Sequence, residues 1–201
     1  PSGTGNSNKK FKRQIPGGGP ILVQSGSLTF DANADSGASE SPITVKAGAG
    51  VVYDKHTGSK ILADSITLES GKLDIKGDSA APTLDTITGD LTVSGVDAAG
   101  GYSASTVTLT PNSTRNVRLI ANRLVRTNHG ISVIRGTNLG LNIIASQTAN
   151  SGNIAFVHAP TGLLGGGGGS GDKDIAILPG VRGGTTSTDG GSTLPPTSSR
   201  D

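Results

Sequence analysis

The chain has 201 residues, 32 of them glycine and 10 proline, with two tyrosines, three phenylalanines and no cysteine, methionine or tryptophan. The lack of cysteine excludes disulfides, Cys-based zinc and iron–sulfur sites and thiol nucleophiles; no run of about 18 apolar residues is present to form a membrane-spanning helix. A glycine share about twice the usual one disfavours a helical bundle, and a formal net charge of +2 is too near balance to point to nucleic acid.

Residues 1–19 form a polar, glycine-rich lead that holds Lys9, Lys10, Lys12 and Arg13 and no acid. This composition predicts an extended segment. The chain begins at Pro1 and contains no methionine, which predicts a processed product or a piece of a longer chain, with no secretory h-region at its start.

Residues 20–182 carry the structural signal. Only 32% of the chain is apolar, below the roughly 45–50% of average domains, so a thick core is hard to fill and a thin, stacked core suits better. One triplet recurs: Leu28-Thr29-Phe30, Ile43-Thr44-Val45, Ile66-Thr67-Leu68, Leu73-Asp74-Ile75, Leu91-Thr92-Val93 and Val107-Thr108-Leu109. Apolar–polar–apolar alternation is the period-2 mark of a half-buried strand. Thr is β-branched and suits the outer face; Gly, Asp, Asn and Ser lie between the triplets, where turns need them. The triplets start at Leu28, Ile43, Ile66, Leu73, Leu91 and Val107, and most of these steps are near one solenoid coil. An antiparallel β-sandwich also gives short strands at such intervals and is the alternative.

From Val117 onward the strand-like runs are Val117–Leu119, Leu124–Arg126, Ile131–Arg135, Leu141–Ile144, Ile154–Val157 and Ile175–Leu178. Arg115, Arg118, Arg123, Arg126 and Arg135 predict a basic outer face here, of the kind that discourages edge-to-edge pairing. Gly165–Gly171 reads as a flexible loop, and residues 183–201 as an extended Gly/Ser/Thr-rich tail. Charge is unevenly spread. Residues 14–114 hold five Lys against eleven Asp or Glu, and residues 115–201 hold eight basic residues against four acids. An acidic middle between basic ends supports head-to-tail association.

Chemistry is thinly supplied. His56, His129 and His158 stand at no metal-ligand spacing, and His56 sits in a glycine-bounded turn. No Gly-x-Ser-x-Gly elbow, phosphate loop or calcium loop is present. Asp74, Asp85 and Asp90 lie in or beside strand patterns, and Asp74 and Asp90 could share one face. Glycoside hydrolysis needs two carboxylates within about 5–10 Å, and a sugar groove needs aromatic platforms, for which only Tyr53 and Tyr102 are available. No catalytic, metal-binding or cofactor-binding residue is assigned, and the chain is expected not to be an enzyme.

The segment 122–140, NRLVRTNHG ISVIRGTNLG, resembles the phrase that closes the repeat region of autotransporter-associated β-strand repeat proteins of bacteria. Leu124, Val125, Arg126, Asn128 and Gly130 match its first strand and turn; Arg135, Gly136, Asn138, Leu139 and Gly140 match its second. Gly165–Gly169 and Ile177-Leu178-Pro179-Gly180 match its continuation. The resemblance spans roughly residues 86–182. It implies a right-handed parallel β-solenoid, exported and displayed at the cell surface. The tandem repeats are poorly regular, and the KKFKR lead lies outside the pattern.

The expectation is therefore an all-β parallel solenoid body over 20–182, between an extended lead (1–19) and an extended tail (183–201). Such a body is expected to be extracellular and structural, a subunit that polymerises with copies of itself head to tail. Ile15, Ile21, Leu22 and Val23 are the candidate assembly residues, because an apolar lead can add as a strand to a neighbour's open end. The runner-up is a solenoid that binds or degrades a surface glycan.

Overall fold

Alternating triplets can pair with one another in many ways; here they pair one coil apart. The structure, a computed structural model, describes residues 9–11, 19–31, 41–56, 58–95, 104–139, 150–160 and 180–184. In chain order the strands are β1 (Lys9–Phe11), β2 (Ile21–Val23), β3 (Ser27–Asp31), β4 (Ile43–Val45), β5 (Gly50–His56), β6 (Gly58–Ala63), β7 (Ile66–Glu69) and β8 (Lys72–Gly77). They continue as β9 (Thr83–Ile87), β10 (Leu91–Ser94), β11 (Ser105–Thr110), β12 (Val117–Ala121), β13 (Leu124–Thr127), β14 (Ser132–Gly136), β15 (Gly152–Phe156) and β16 (Val181–Gly184). The described residues hold no helix, so none is long and apolar enough to cross a membrane.

Three sheets form the walls. Sheet A runs β1-β3-β5-β8-β11-β14-β16, sheet B runs β2-β4-β7-β10-β13, and sheet C runs β6-β9-β12-β15. Every pairing within them is parallel. From β5 to β14 the chain visits A, then C, then B, and returns to A one layer further along. This is a parallel β-solenoid, and the antiparallel sandwich is ruled out by the pairing.

Register sets the coil length. Ile21, Ile43, Ile66 and Leu91 stack in sheet B, each one coil after the last. Leu28, Val51 and Leu73 stack in the same way in sheet A. A whole coil is therefore the stretch from Ile43 to Ile66, and the shorter steps between triplets are arcs of a coil. The stretch from Ile66 to Leu73 simply turns the corner from B to A. The rounds from Leu73 to Val107, Thr83 to Val117 and Leu91 to Leu124 are longer than those before them, because one insertion between β10 and β11 lies within all three.

Inward side chains build the narrow core. Leu28, Val51, Leu73, Val107 and Ile134 form one buried column, and Phe30, Tyr53, Ile75 and Leu109 another. Parallel in-register stacking sets like beside like about 4.8 Å apart, and the rings of Phe30 and Tyr53 stack at a centroid distance of 4.8 Å with planes 10° apart. Thr44, Thr67 and Thr92 align on the half-exposed outer face of sheet B. The corner from B to A needs left-handed backbone, which Gly48 supplies with φ 74° and Ser70, in the next coil, with φ 57°.

Two expected boundaries fall inside the fold. β1 lies within the 1–19 lead and pairs with β3, and β16 crosses residue 183 to pair with β14. Leu141–Ile144, Gly165–Gly171 and Ile175–Leu178 lie outside the described residues.

Candidate functional site

The ends of a solenoid are where its backbone donors and acceptors face outward along the axis. At the starting end, Ile21, Leu22 and Val23 form β2, the first strand of sheet B. Their inner edge is paired with β4: the Ile21 N–H donates to Pro42 O, and the Lys46 N–H donates to Val23 O, both at 2.9 Å. Val23 is buried, Ile21 is half-buried and Leu22 is 51% exposed. Three of the four candidate assembly residues are therefore part of this chain's own wall, not a loose strand reserved for a neighbour. Ile15 lies outside the described residues. Among the described residues no strand pairs with the outer edge of β2.

At the other end, among the described residues, sheet B finishes on β13, sheet C on β15 and sheet A on β16. Val157, just past β15, is 66% exposed. Arg126 does not stand on the outer face expected of it. It occupies the inward column of Val23, Val45, Leu68 and Val93, and its Nε–H donates to Gly130 O at 2.6 Å. Arg118 and Arg135 do face outward, but from sheets C and A, so the five arginines line no common groove. Aligning Leu124-Val125-Arg126 with Leu91-Thr92-Val93 shows that inward placement from sequence alone.

Polar contacts tie successive coils together along the corners. Lys46 Nζ, just after β4, pairs with Oε2 of Glu69, the last residue of β7. Asn122 Nδ2 donates to Asp90 Oδ1 at 2.9 Å, and Asn128 Nδ2 to Ser94 Oγ at 3.2 Å.

The residues weighed for glycan chemistry are not brought together. Asp74 faces outward from sheet A, Asp85 is fully buried inside sheet C, and Asp90 lies at the corner between C and B. Tyr53 is no platform. It is 1% exposed, stacked on Phe30, and its hydroxyl donates to Leu62 O at 2.9 Å. Burial, reinforced by the nearby charge of Asp85, pushes its phenol far above the usual tyrosine range. Tyr102 lies outside the described residues; His129 is exposed in the turn after β13, with φ 57°.

Charge varies along the axis, because coils stack in sequence order. Among the described residues, β1 holds Lys9 and Lys10, residues 19–56 hold two Asp and two Lys, residues 58–95 hold six Asp or Glu and three Lys, and residues 104–160 hold five Arg and no acid. The acids are concentrated in the middle coils, between a lysine-bearing first strand and arginine-bearing later coils. Comparison with protein-family models, with curated proteins and with solved structures finds no match for this chain.

Proposed function

We propose that this chain is a structural, self-assembling protein whose solenoid bodies join head to tail into a filament or surface layer outside the cell. The observation that carries the reading is the axial charge pattern, acidic in the middle coils and basic toward both ends. Copies that carry acidic middle coils and basic ends attract one another by charge complementarity. Heterologous contacts that do not close into a ring propagate as filaments. Among the described residues, strand edges without a partner at both ends and the exposed Leu22 and Val157 supply surface for the contact. The extracellular placement rests on the resemblance of residues 86–182 to surface-displayed repeat proteins. The glycan reading has no comparable support, because its candidate acids lie apart and Tyr53 is inside the core.

The test is negative-stain electron microscopy and sedimentation of purified protein at low and high salt. Regular filaments with an axial repeat at low salt, dissolving as salt rises, are expected. Single particles at every salt and protein concentration overturn the proposal.

A further inference from the structure

Sheet C inverts the usual polarity of a wall. On β6, the half-buried Lys60 stands in the inward column and Ile61 faces out, 50% exposed; on β9, Asp85 is fully buried inside and Leu84 faces out. Lys60 and Asp85 are partners in register. Sheet A does the reverse on β8, where Leu73 and Ile75 go in and Lys72, Asp74 and Lys76 go out. Ile61 begins an outer row that continues through Thr86, Ile120 and Ala155. The row beside it runs Ser59, Leu84 and Arg118. Among the described residues, Arg118 is the single charge that the strands of sheet C turn outward. Aliphatic side chains turned to water, with charges turned inward, cost stability in a lone wall. Departures of this kind from the local rule belong to functional surfaces.

We propose that the outer face of sheet C is a side-by-side docking surface for a second copy of this chain. A face with one charge offers little to nucleic acid or to lipid headgroups, whereas depletion of charge around aliphatic side chains is the mark of an interface core. Two such faces match one another. A two-fold axis along the solenoid sets the row of Ile61 and Ile120 in one copy against the row of Leu84 and Arg118 in the other, with the sheets about 10 Å apart. The stem of Arg118 then lies on aliphatic side chains while its head reaches the rim, and the two copies' arginines stand in different rows. Four strands of about five residues cover roughly 300 Å² at the spacings of a β-sheet. That is less than half of the about 800 Å² that a standard stable pair buries on each partner. A single pair is therefore weak, and pairs repeated along a stack reinforce one another. Where copies also join end to end, this face holds neighbouring stacks side by side, a consequence that rests on the head-to-tail reading.

The test is sedimentation of the full chain, from dilute to concentrated solution, in about 1 M sodium sulfate. This salt shortens the reach of charge to about 3 Å and strengthens apolar association. Wild type is expected to associate reversibly as its concentration rises. Ile61→Lys is expected to stay single, because docking would enclose an ammonium among aliphatic side chains. Thr67→Lys, on the half-exposed outer face of sheet B, is expected to associate as wild type does. A wild-type chain that stays single at every concentration overturns the proposal. So does an Ile61→Lys chain that associates equally, the result expected of contacts through Leu22 or Val157 at the ends, and so does a Thr67→Lys chain that loses association. If Ile61→Lys loses its β circular dichroism, Ile61→Ser replaces it with the same expected and overturning outcomes. Filament formation by wild type is read separately at low salt, so failure of the head-to-tail reading is distinguishable from failure of the side-by-side contact.

Discussion

The hydroxyl of Tyr53 donates to the carbonyl of Leu62 across the interior of a single coil, 2.9 Å away. Leu62 is where β6 slips register against β9: Ile61 pairs with Thr86 and Ala63 with Ile87, leaving Leu62 between. A bulge of this kind breaks the ladder locally, and the phenol satisfies a carbonyl that the slip leaves facing the core. Tyr53→Phe keeps the ring stacked on Phe30 but leaves that carbonyl without this donor. The expected loss is about 1–3 kcal/mol in urea unfolding. A variant as stable as wild type would show that the bond contributes nothing.

The same tyrosine makes stability depend on alkaline pH. Its phenol is pushed up in the folded chain, from a usual value of 10.0, by burial and by Asp85. The unfolded chain therefore releases this proton first. Stability from this group is complete below about pH 10 and falls as pH rises above it. Tyr53→Phe is expected to flatten the alkaline arm of the stability–pH curve. Equal slopes in the two chains would contradict that assignment.

Coil corners are tight at chosen glycines. A Cβ on Gly71 would stand 2.6 Å from Val45 O, whereas one on Gly19 would meet nothing within 4 Å. Gly71→Ala is expected to cost about 1–3 kcal/mol, the usual range for forced overpacking, and Gly19→Ala to change almost nothing. Denaturation midpoints of the two variants check the contrast.

The ion pair of Lys46 with Glu69 joins neighbouring coils at a partly exposed corner, with the side chains 33% and 24% accessible. Pairs so wetted contribute about 0.2–1 kcal/mol. A double-mutant cycle with Lys46→Ala and Glu69→Ala should give a coupling in that range that shrinks in salt. A coupling indifferent to salt would point to packing.

Removing residues 1–24 deletes β1 and β2 and leaves β3 and β4 as the outermost layer. Since Ile43 and Val45 are paired on their other side with β7, the remaining body is expected to keep its β circular dichroism and lose end-to-end assembly. A truncated chain that still forms filaments would remove β2 from the joint.

All six triplets are legible in the sequence because their alternation coincides with the wall they build: Leu28 and Phe30 go in, Thr29 goes out. β9 is not, because it runs against the alternation. In Thr83-Leu84-Asp85-Thr86-Ile87 the leucine faces outward and the aspartate inward. Its register is imposed by the coils on either side, where Leu84 aligns with Ser59 and Arg118, and Asp85 with Lys60 and Leu119. The candidate assembly residues are legible as a strand, but their partner is not. Composition cannot tell a wall-forming strand from one left for a neighbour, and pairing with β4 decides it. The inward place of Arg126 is legible only by aligning its strand with Leu91-Thr92-Val93, since it follows from the column and not from the polarity of the side chain.

The described strands pair only with segments one round of the chain away, before or after. No sheet contact forms until a full round has closed, and each new round then needs only the one before it. Folding on such a scaffold is a zipper with nearest-neighbour coupling. Lengthening a round adds little resistance, since doubling a loop raises its closure cost by only about 0.6 kcal/mol. This is how the short round from Ile21 to Ile43 and the long one from Leu73 to Val107 coexist in one stack. Amide exchange should accordingly be slowest in β7 and β8, where ladders run on both sides, and should quicken toward β2 and β15, so that the molecule unravels from its tips.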